Sequence, residues 1–181
     1  FADAKHLPKA SCSPFDFAAA LIAFKTNVLD KQHWPTRLGI RRVIVRCANY
    51  ESLQRMRDAL STLGRKAVLI HDNVLRDDVN KLEFQTVKPA LDAAEAAPVE
   101  YWLHQWKLLE GVDNSTFAAV AIYEAFTASR ATIQQFGRVI RVLDRDAPSK
   151  EIATVFACAD IQADAQARFD RYTRYERHFA N

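Results

Sequence analysis

The chain has 181 residues, of which 49% are hydrophobic and 26% are charged. This is the composition of a folded globular domain, and it excludes a disordered tail. The longest apolar run, residues 17–24, is far shorter than the roughly 20 residues that cross a bilayer, so a transmembrane protein is excluded. The net charge of +3 is too small to indicate a nucleic-acid partner by itself.

Cysteine and histidine usage argues against a cross-linked or zinc-bound fold. The three cysteines, Cys12, Cys47 and Cys158, are odd in number and widely spaced. No histidine lies at ligand spacing from a cysteine or from another histidine, so a zinc site is not expected. A disulfide framework is not expected either, and we predict a reducing, cytoplasmic location. Because the chain starts at Phe1 and its one methionine is Met56, we expect it to be part of a longer protein.

Residues 1–40 are predicted to form a helical lead-in. Ser13 suits the N-cap of a helix, and Pro14 suits its first position. Apolar residues then recur at helical spacing and predict a face that packs on a neighbouring layer: Phe17, Leu21, Phe24 and Val28.

The next part of the chain shows the pattern of a strand, a helix and a second strand. A β-branched run predicts a buried strand over 42–47. Asn49 predicts the N-cap of a helix that ends at Gly64, and residues 67–70 predict the second strand. Short links between such elements are typical of a βαβ unit in a parallel sheet.

The remaining residues continue this alternation. Residues 72–100 are acidic and predict one long or two short surface helices that point away from any nucleic acid. Further strands are predicted over 100–105, 118–123 and 152–157, and further helices over 129–141 and 163–179. We therefore predict a three-layer α/β domain over residues 41–181, with a mainly parallel sheet of about five or six strands.

Two polar clusters follow consecutive predicted strands. The first is L-L-E-G-V-D at residues 108–113, and the second is Q-Q-F-G-R-V-I-R at residues 134–141. In open α/β sheets, ligands bind at such strand ends. Arg138 and Arg141 share one helix face, and Gly137 leaves room for a close approach. Paired guanidinium groups of this kind suit a polyphosphate.

The sequence lacks the loop that would hold a nucleotide on its own. There is no G-x-x-x-x-G-K-[ST] motif and no G-x-G-x-x-G motif, and the four glycines are far apart. We therefore do not expect this chain to hydrolyse a nucleotide unaided.

The two clusters resemble motifs of superfamily 2 helicases and translocases. Q-x-x-G-R-x-x-R at residues 134–141 resembles their motif VI, and E-G-V-D at residues 110–113 resembles their motif V. The predicted strand over 42–47, with its helix, resembles motif IV. Order and spacing agree over residues 41–157. The exact letters of both clusters are most similar to the DNA-translocating branch that includes type III restriction subunits.

The resemblance implies the second RecA-like domain of an ATP-dependent nucleic-acid motor. ATP with Mg²⁺ would be held mainly by a first RecA-like domain of the same protein. Arg138 and Arg141 would be the catalytic arginine fingers, with Arg141 the better candidate. The implied nucleotide-binding residues are Gln134, Gly137, Gly111 and Asp113. Those implied for nucleic acid, with DNA favoured over RNA, are Gln105 and Arg46.

Simpler interpretations of the same residues stay open. The two arginines can lie on a solvated helix face or pair with Asp144. Asp113 and Asn114 can form a turn after a strand. His71 is expected to be a loop histidine without a catalytic part.

Two larger features also have alternatives. In the C-terminal helix, arginines interleave with aromatic residues over 168–179. Either the aromatic side chains pack on the sheet and the arginines face water, or the arginines form a basic stripe that meets a nucleic-acid backbone. The acidic segment 72–100 favours a second function, a non-catalytic RecA-like scaffold for protein partners.

Overall fold

A computed structural model describes residues 1–8, 12–32, 40–106, 114, 116–125, 127, 129–137 and 154–179. The strands are β1 (Arg42–Arg46), β2 (Ala67–Ile70), β3 (Glu83–Phe84), β4 (Tyr101–His104), β5 (Phe117–Ile122) and β6 (Thr154–Ala157). They form one sheet in the order β3-β2-β4-β1-β5-β6, and every neighbouring pair is parallel. The helices are α1 (Pro14–Asn27), α2 (Tyr50–Thr62), α3 (Val87–Asp92), α4 (Ser129–Gly137) and α5 (Ala159–Phe179).

Helices cover both faces of the sheet, which makes the fold three-layered. α1 and α2 pack on one face, where alternate strand residues such as Val43 and Val45 point. α3, α4 and α5 pack on the other face, which receives Ile44 and Trp102. Burial on both faces explains why the strands are continuous apolar runs rather than alternating ones.

Local signals in the sequence set the helix ends. The Ser13 hydroxyl accepts a hydrogen bond from the Asp16 amide at the start of α1. Asn49 and Ser52 form a reciprocal capping box at the start of α2. Gly64 follows α2 with a φ of 72°, a left-handed conformation that glycine adopts without strain.

The lead-in helix is tied to the sheet by a buried cation. Lys25 of α1 is almost fully buried, and its ammonium group donates to Asp30 and to Glu100, which precedes β4. Phe17 and Leu21 of the same helix are fully buried in the core. Among the described residues, no helix has both the length and the apolar character that a membrane crossing requires.

The predicted α/β fold with a mainly parallel sheet is confirmed. The strands predicted over 42–47, 67–70, 100–105, 118–123 and 152–157 correspond to β1, β2, β4, β5 and β6. The helix predicted over 129–141 is α4, described as far as Gly137. The last helix begins at Ala159, four residues before the predicted start.

The prediction for the acidic segment 72–100 was wrong in part. This segment contains the short edge strand β3 and only one short helix, α3. β3 pairs with β2, and Leu82 just before it has a φ of 57°, which no helix accommodates. The backbone pairing of a two-residue edge strand outweighs the helical propensity of its neighbours.

Candidate functional site

The last paired residues of five strands form one row at the carboxyl edge of the sheet. Across the sheet, the register aligns Ile70 with His104, His104 with Arg46, Arg46 with Ile122, and Ile122 with Ala157. These side chains point to the face covered by α4 and α5, because partners in register share a face. Two polar residues, Arg46 and His104, thus lie side by side in an otherwise apolar row.

Arg46 ends β1 and is only 2% exposed. Its Nη1 donates to the carbonyl oxygen of Glu124 at 2.9 Å, and its guanidinium lies 5.2 Å from the ring centroid of Trp106. Burial lowers the pKa of Arg46, and the nearby Glu124 carboxylate opposes that shift. The Trp106 ring shields a charge that the core cannot solvate, and it remains 46% exposed itself.

Glu124, just after β5, joins this edge to the start of α2. Its carboxylate accepts a hydrogen bond from the Ala48 amide at 2.5 Å, directly before the Asn49 cap. The Tyr123 amide in turn donates to the Arg46 carbonyl. The turns after β1 and β5 are therefore held together by both backbone and side-chain contacts.

His104 and Gln135 meet beneath the edge. Both are fully buried, His104 at the end of β4 and Gln135 within α4. Burial lowers the pKa of His104 to about 3, and the positive charge of Arg46 acts in the same direction. The nearby Gln135 side chain opposes the shift, although neither polar atom of its amide makes a hydrogen bond to a described residue. His104 is therefore a neutral imidazole that connects β4 to α4.

A second buried histidine lies at the outer side of the sheet. His71 follows β2, and its ring centroid is 4.7 Å from that of Tyr50, the first residue of α2. Burial lowers the pKa of His71, and Glu83 and Asp72 oppose the shift. The expectation of a loop histidine places it correctly in the chain but does not foresee its burial.

A groove of about 460 Å³ runs between α4 and α5. Its lining combines arginine and tyrosine side chains with one aliphatic residue and one amide: Arg130, Arg168, Arg171, Tyr172, Tyr175, Ile133 and Gln134. Tyr172 and Tyr175 are exposed, whereas Phe169 packs on the core beside α4. The aromatic residues of the last helix are thus divided between the core and the groove.

Comparison with known proteins identifies the fold. No protein-family model matches the chain, and no curated protein sequence matches it. The C-terminal part of the Fun30 ATPase domain is similar with a TM-score of 0.51 and 18% identity, over 77% of this chain and 39% of that chain. The S. cerevisiae Dbp5 C-terminal domain, bound to Gle1 and IP6, is similar with a TM-score of 0.54 and 15% identity, over 88% of this chain and 78% of that chain. The fold is RecA-like. At these identities the likeness establishes the fold alone, and the chain spans less than half the length of the Fun30 structure.

Four predicted site residues lie outside the described part of this RecA-like domain: Arg138, Arg141, Gly111 and Asp113. Their roles stay predictions. Gly137 is the last residue of α4, and Gln134 lies one turn earlier, in the groove beside α5. The remaining two, Gln105 and Arg46, lie together at the carboxyl edge, Gln105 half-buried and Arg46 buried behind Trp106. A phosphate would reach the Arg46 guanidinium only if Trp106 moved.

Sequence reasoning missed Gln135 and Glu124. Gln135 stands one residue after a predicted ligand, and a single helix step of about 100° turns it from the groove to the core. The signal that could have indicated Gln135 was the histidine at the end of the apolar strand β4. A histidine at the end of a buried strand needs a polar neighbour, and Gln135 is that neighbour. No local pattern marks Glu124, whose partners are about 76 to 78 positions away.

The buried histidine gives a pH dependence with a defined sign. The pKa of His104 is about 3 when folded, against 6.5 ordinarily, so the unfolded chain binds the extra proton. The free energy of unfolding should therefore fall as the pH drops below 6.5, by about 2 kcal/mol from this residue between pH 7 and pH 5.

We expect His104→Gln to remove that part of the pH slope, as measured by urea unfolding at several pH values. The comparison rests on the slope, so a lower overall stability of the variant does not affect it. His6→Gln, in the N-terminal segment outside the cluster, is the control. Identical slopes for the wild type and His104→Gln would contradict the assignment.

Proposed function

We propose that this chain is the second motor domain of an ATP-dependent nucleic-acid helicase or translocase. In this proposal a first RecA-like domain holds ATP with Mg²⁺, and the present domain completes the site. The supporting observation is that Gln134 and Gly137 lie in the last turn of α4, a helix that packs on the parallel sheet of a RecA-like fold. Arg138 follows Gly137 directly in the sequence. The shared helix turn of Gln134 and Gly137 is consistent with the resemblance to motif VI.

The chemistry that this chain would contribute is charge stabilisation. Mg²⁺ bound with the triphosphate neutralises its oxygens when present. Arg138 and Arg141 would donate to the transferring phosphoryl group, where such arginines raise the rate by about 10³–10⁵, equivalent to roughly 4–7 kcal/mol. Lysine would replace them incompletely, because only the planar guanidinium donates two parallel hydrogen bonds.

In this proposal the buried polar row would link the nucleotide side of the domain to its nucleic-acid side. Gln135 follows Gln134 on α4 and meets His104 of β4. His104 is in register with Arg46, whose guanidinium supports the exposed Trp106. We assign to this row the task of keeping α4 in a fixed position relative to the edge strands. A shift of α4 on ATP hydrolysis would then be passed to the edge.

Nucleic acid would cross the carboxyl edge where Gln105 and Trp106 lie. An exposed indole offers a stacking surface for a base of any sequence, and the half-buried Gln105 amide can donate to a phosphate. The resemblance to the DNA-translocating branch favours DNA as the strand. This assignment adds Trp106 to Gln105 and Arg46, the two residues that the sequence predicts to contact nucleic acid.

The arginine assignment is tested in the full-length protein that contains this chain. Arg141→Ala should lower the kcat of nucleic-acid-stimulated ATP hydrolysis by about 10³–10⁵, and Arg141→Lys should restore only part of it. Arg55→Ala, which removes an exposed arginine paired with Glu51 on α2, is the control and should hydrolyse ATP normally. Unchanged hydrolysis by Arg141→Ala would contradict the assignment.

The nucleic-acid edge is tested by binding of a fluorescent single-stranded oligonucleotide at low salt. Trp106→Ala should weaken binding by about 5–150-fold, which corresponds to the loss of one aromatic stacking contact. Phe15→Ala is the matched control, because Phe15 is 47% exposed, like Trp106, but lies on α1. Normal binding by Trp106→Ala together with weak binding by Arg171→Gln would instead place the strand along α5.

The α4–α5 groove favours one second candidate, a scaffold for a protein partner. Its tyrosines are exposed and its volume is large enough for inserted side chains. Under this alternative the full-length protein would show no ATP hydrolysis, and Arg141→Ala would change nothing. The hydrolysis assay described above separates the two functions.

A further inference from the structure

Two free thiols that are 146 positions apart in the sequence come into direct contact. The Sγ atoms of Cys12 and Cys158 are 2.8 Å apart, and neither cysteine forms a disulfide bond. Cys12 directly precedes the Ser13 cap of α1, and Cys158 is the single residue between β6 and α5. Such proximity between distant parts of the chain comes from the fold, not from local sequence.

The two thiols differ in their exposure to solvent. Cys158 is buried in the core between the sheet and α1, while Cys12 is only partly covered there. An agent in solution therefore reaches Cys12 first, and Cys158 stands behind it. This is the arrangement of an attacking thiol with a resolving thiol.

The segment before Cys12 already lies along the open edge of the sheet. The Ala2 amide donates to the Val155 carbonyl of β6 at 2.8 Å, and the Gln162 side chain of α5 donates to the Ala2 carbonyl. The Ala159 amide donates to the Pro8 carbonyl. The Phe1 ring packs edge-on against Phe136 of α4. Residues 1–8 thus cover the edge strand β6, which would otherwise present unpaired backbone groups.

We propose that Cys12 and Cys158 form a reversible intramolecular disulfide that fastens the N-terminal segment to the β6 edge. The proposal is independent of the proposed ATP-dependent function. A disulfide framework is not expected from the sequence, and a single reversible bridge between two cysteines is compatible with that expectation.

The oxidant is a small-molecule disulfide such as oxidised glutathione. The Cys12 thiol loses its proton to water, and the thiolate attacks one sulfur of glutathione disulfide, so that one reduced glutathione leaves. The Cys158 thiol then loses its proton, and its thiolate attacks the Cys12 sulfur of the mixed disulfide and expels the second glutathione. Each departing glutathione thiolate takes up one proton, so the two protons released by the cysteines are accounted for. Two protein thiols are oxidised, and one glutathione disulfide is reduced to two thiols.

Burial and the contact with Cys158 raise the pKa of Cys12 to about 12. At neutral pH few of these thiols are ionised, and exchange is slow because the thiolate is the attacking species. The oxidation experiment is therefore run at mildly alkaline pH with an excess of oxidised glutathione.

The test uses the intact chain, first reduced and then oxidised, with free thiols counted by alkylation after denaturation. The count should fall from three to one, since three cysteines are present and two are joined. Peptide mapping without reductant should recover residues 12 and 158 on one linked pair of peptides. Hydrogen exchange at the Ala2 amide should slow, and Tm should rise by about 5–15 °C, as for a bridge that closes a long loop.

Variants distinguish the pair from general oxidation. Cys12→Ser should abolish the loss of two thiols, whereas Cys47→Ala should still form the bridge. Reduction should return every value to that of the starting protein. A glutathione adduct that persists on Cys12, or a dimer bridged through Cys12, would overturn the proposal. A bridge that leaves Ala2 exchange unchanged would overturn its fastening of the N-terminal segment.

Discussion

The parallel pairing of β1 between β4 and β5 is the constraint on which the rest of the structure depends. It aligns Arg46 with His104 on one side and with Ile122 on the other. Because all the strands run the same way, every chain segment that leaves a strand does so at one edge. The turns that follow β1, β2, β4 and β5 are thereby gathered into one surface, although they come from residues 47 to 125. A single antiparallel strand at the centre would remove one of them to the opposite edge.

This arrangement places a buried charged side chain, Arg46, at the carboxyl end of the central strand β1. A buried guanidinium needs compensating contacts, and for Arg46 these include the hydrogen bond to the Glu124 carbonyl and the Trp106 ring over its face. His104 avoids the cost of a buried charge altogether, because its imidazole stays neutral beside Gln135. Moving β5 would take the Glu124 carbonyl away from the Arg46 guanidinium, so this part of the polar row depends on the position of β5.

The sequence predicts most of the fold because most of its signals are local. The β-branched residues of β1, the Asn49 cap and Gly64 each act within a few positions, and they locate the first βαβ unit almost to the residue. β3 was missed because its two residues are held by pairing with β2 rather than by propensity. The site follows the same rule. Gln134 and Gly137 were found from spacing, whereas Gln135, Glu124 and the contact between Cys12 and Cys158 depend on residues brought together only by the folded sheet.

We propose that the guanidinium groups of Arg138 and Arg141, which follow Gly137 in the sequence, reach a triphosphate held by another domain. The most direct measurement is a structure of the full-length protein with ADP and aluminium fluoride, which imitates the transferring phosphoryl group. We expect the Arg141 guanidinium to lie within hydrogen-bonding distance of a fluoride, with Gln134 on the same side of α4. An Arg141 side chain paired with Asp144 and turned away from the nucleotide would contradict it.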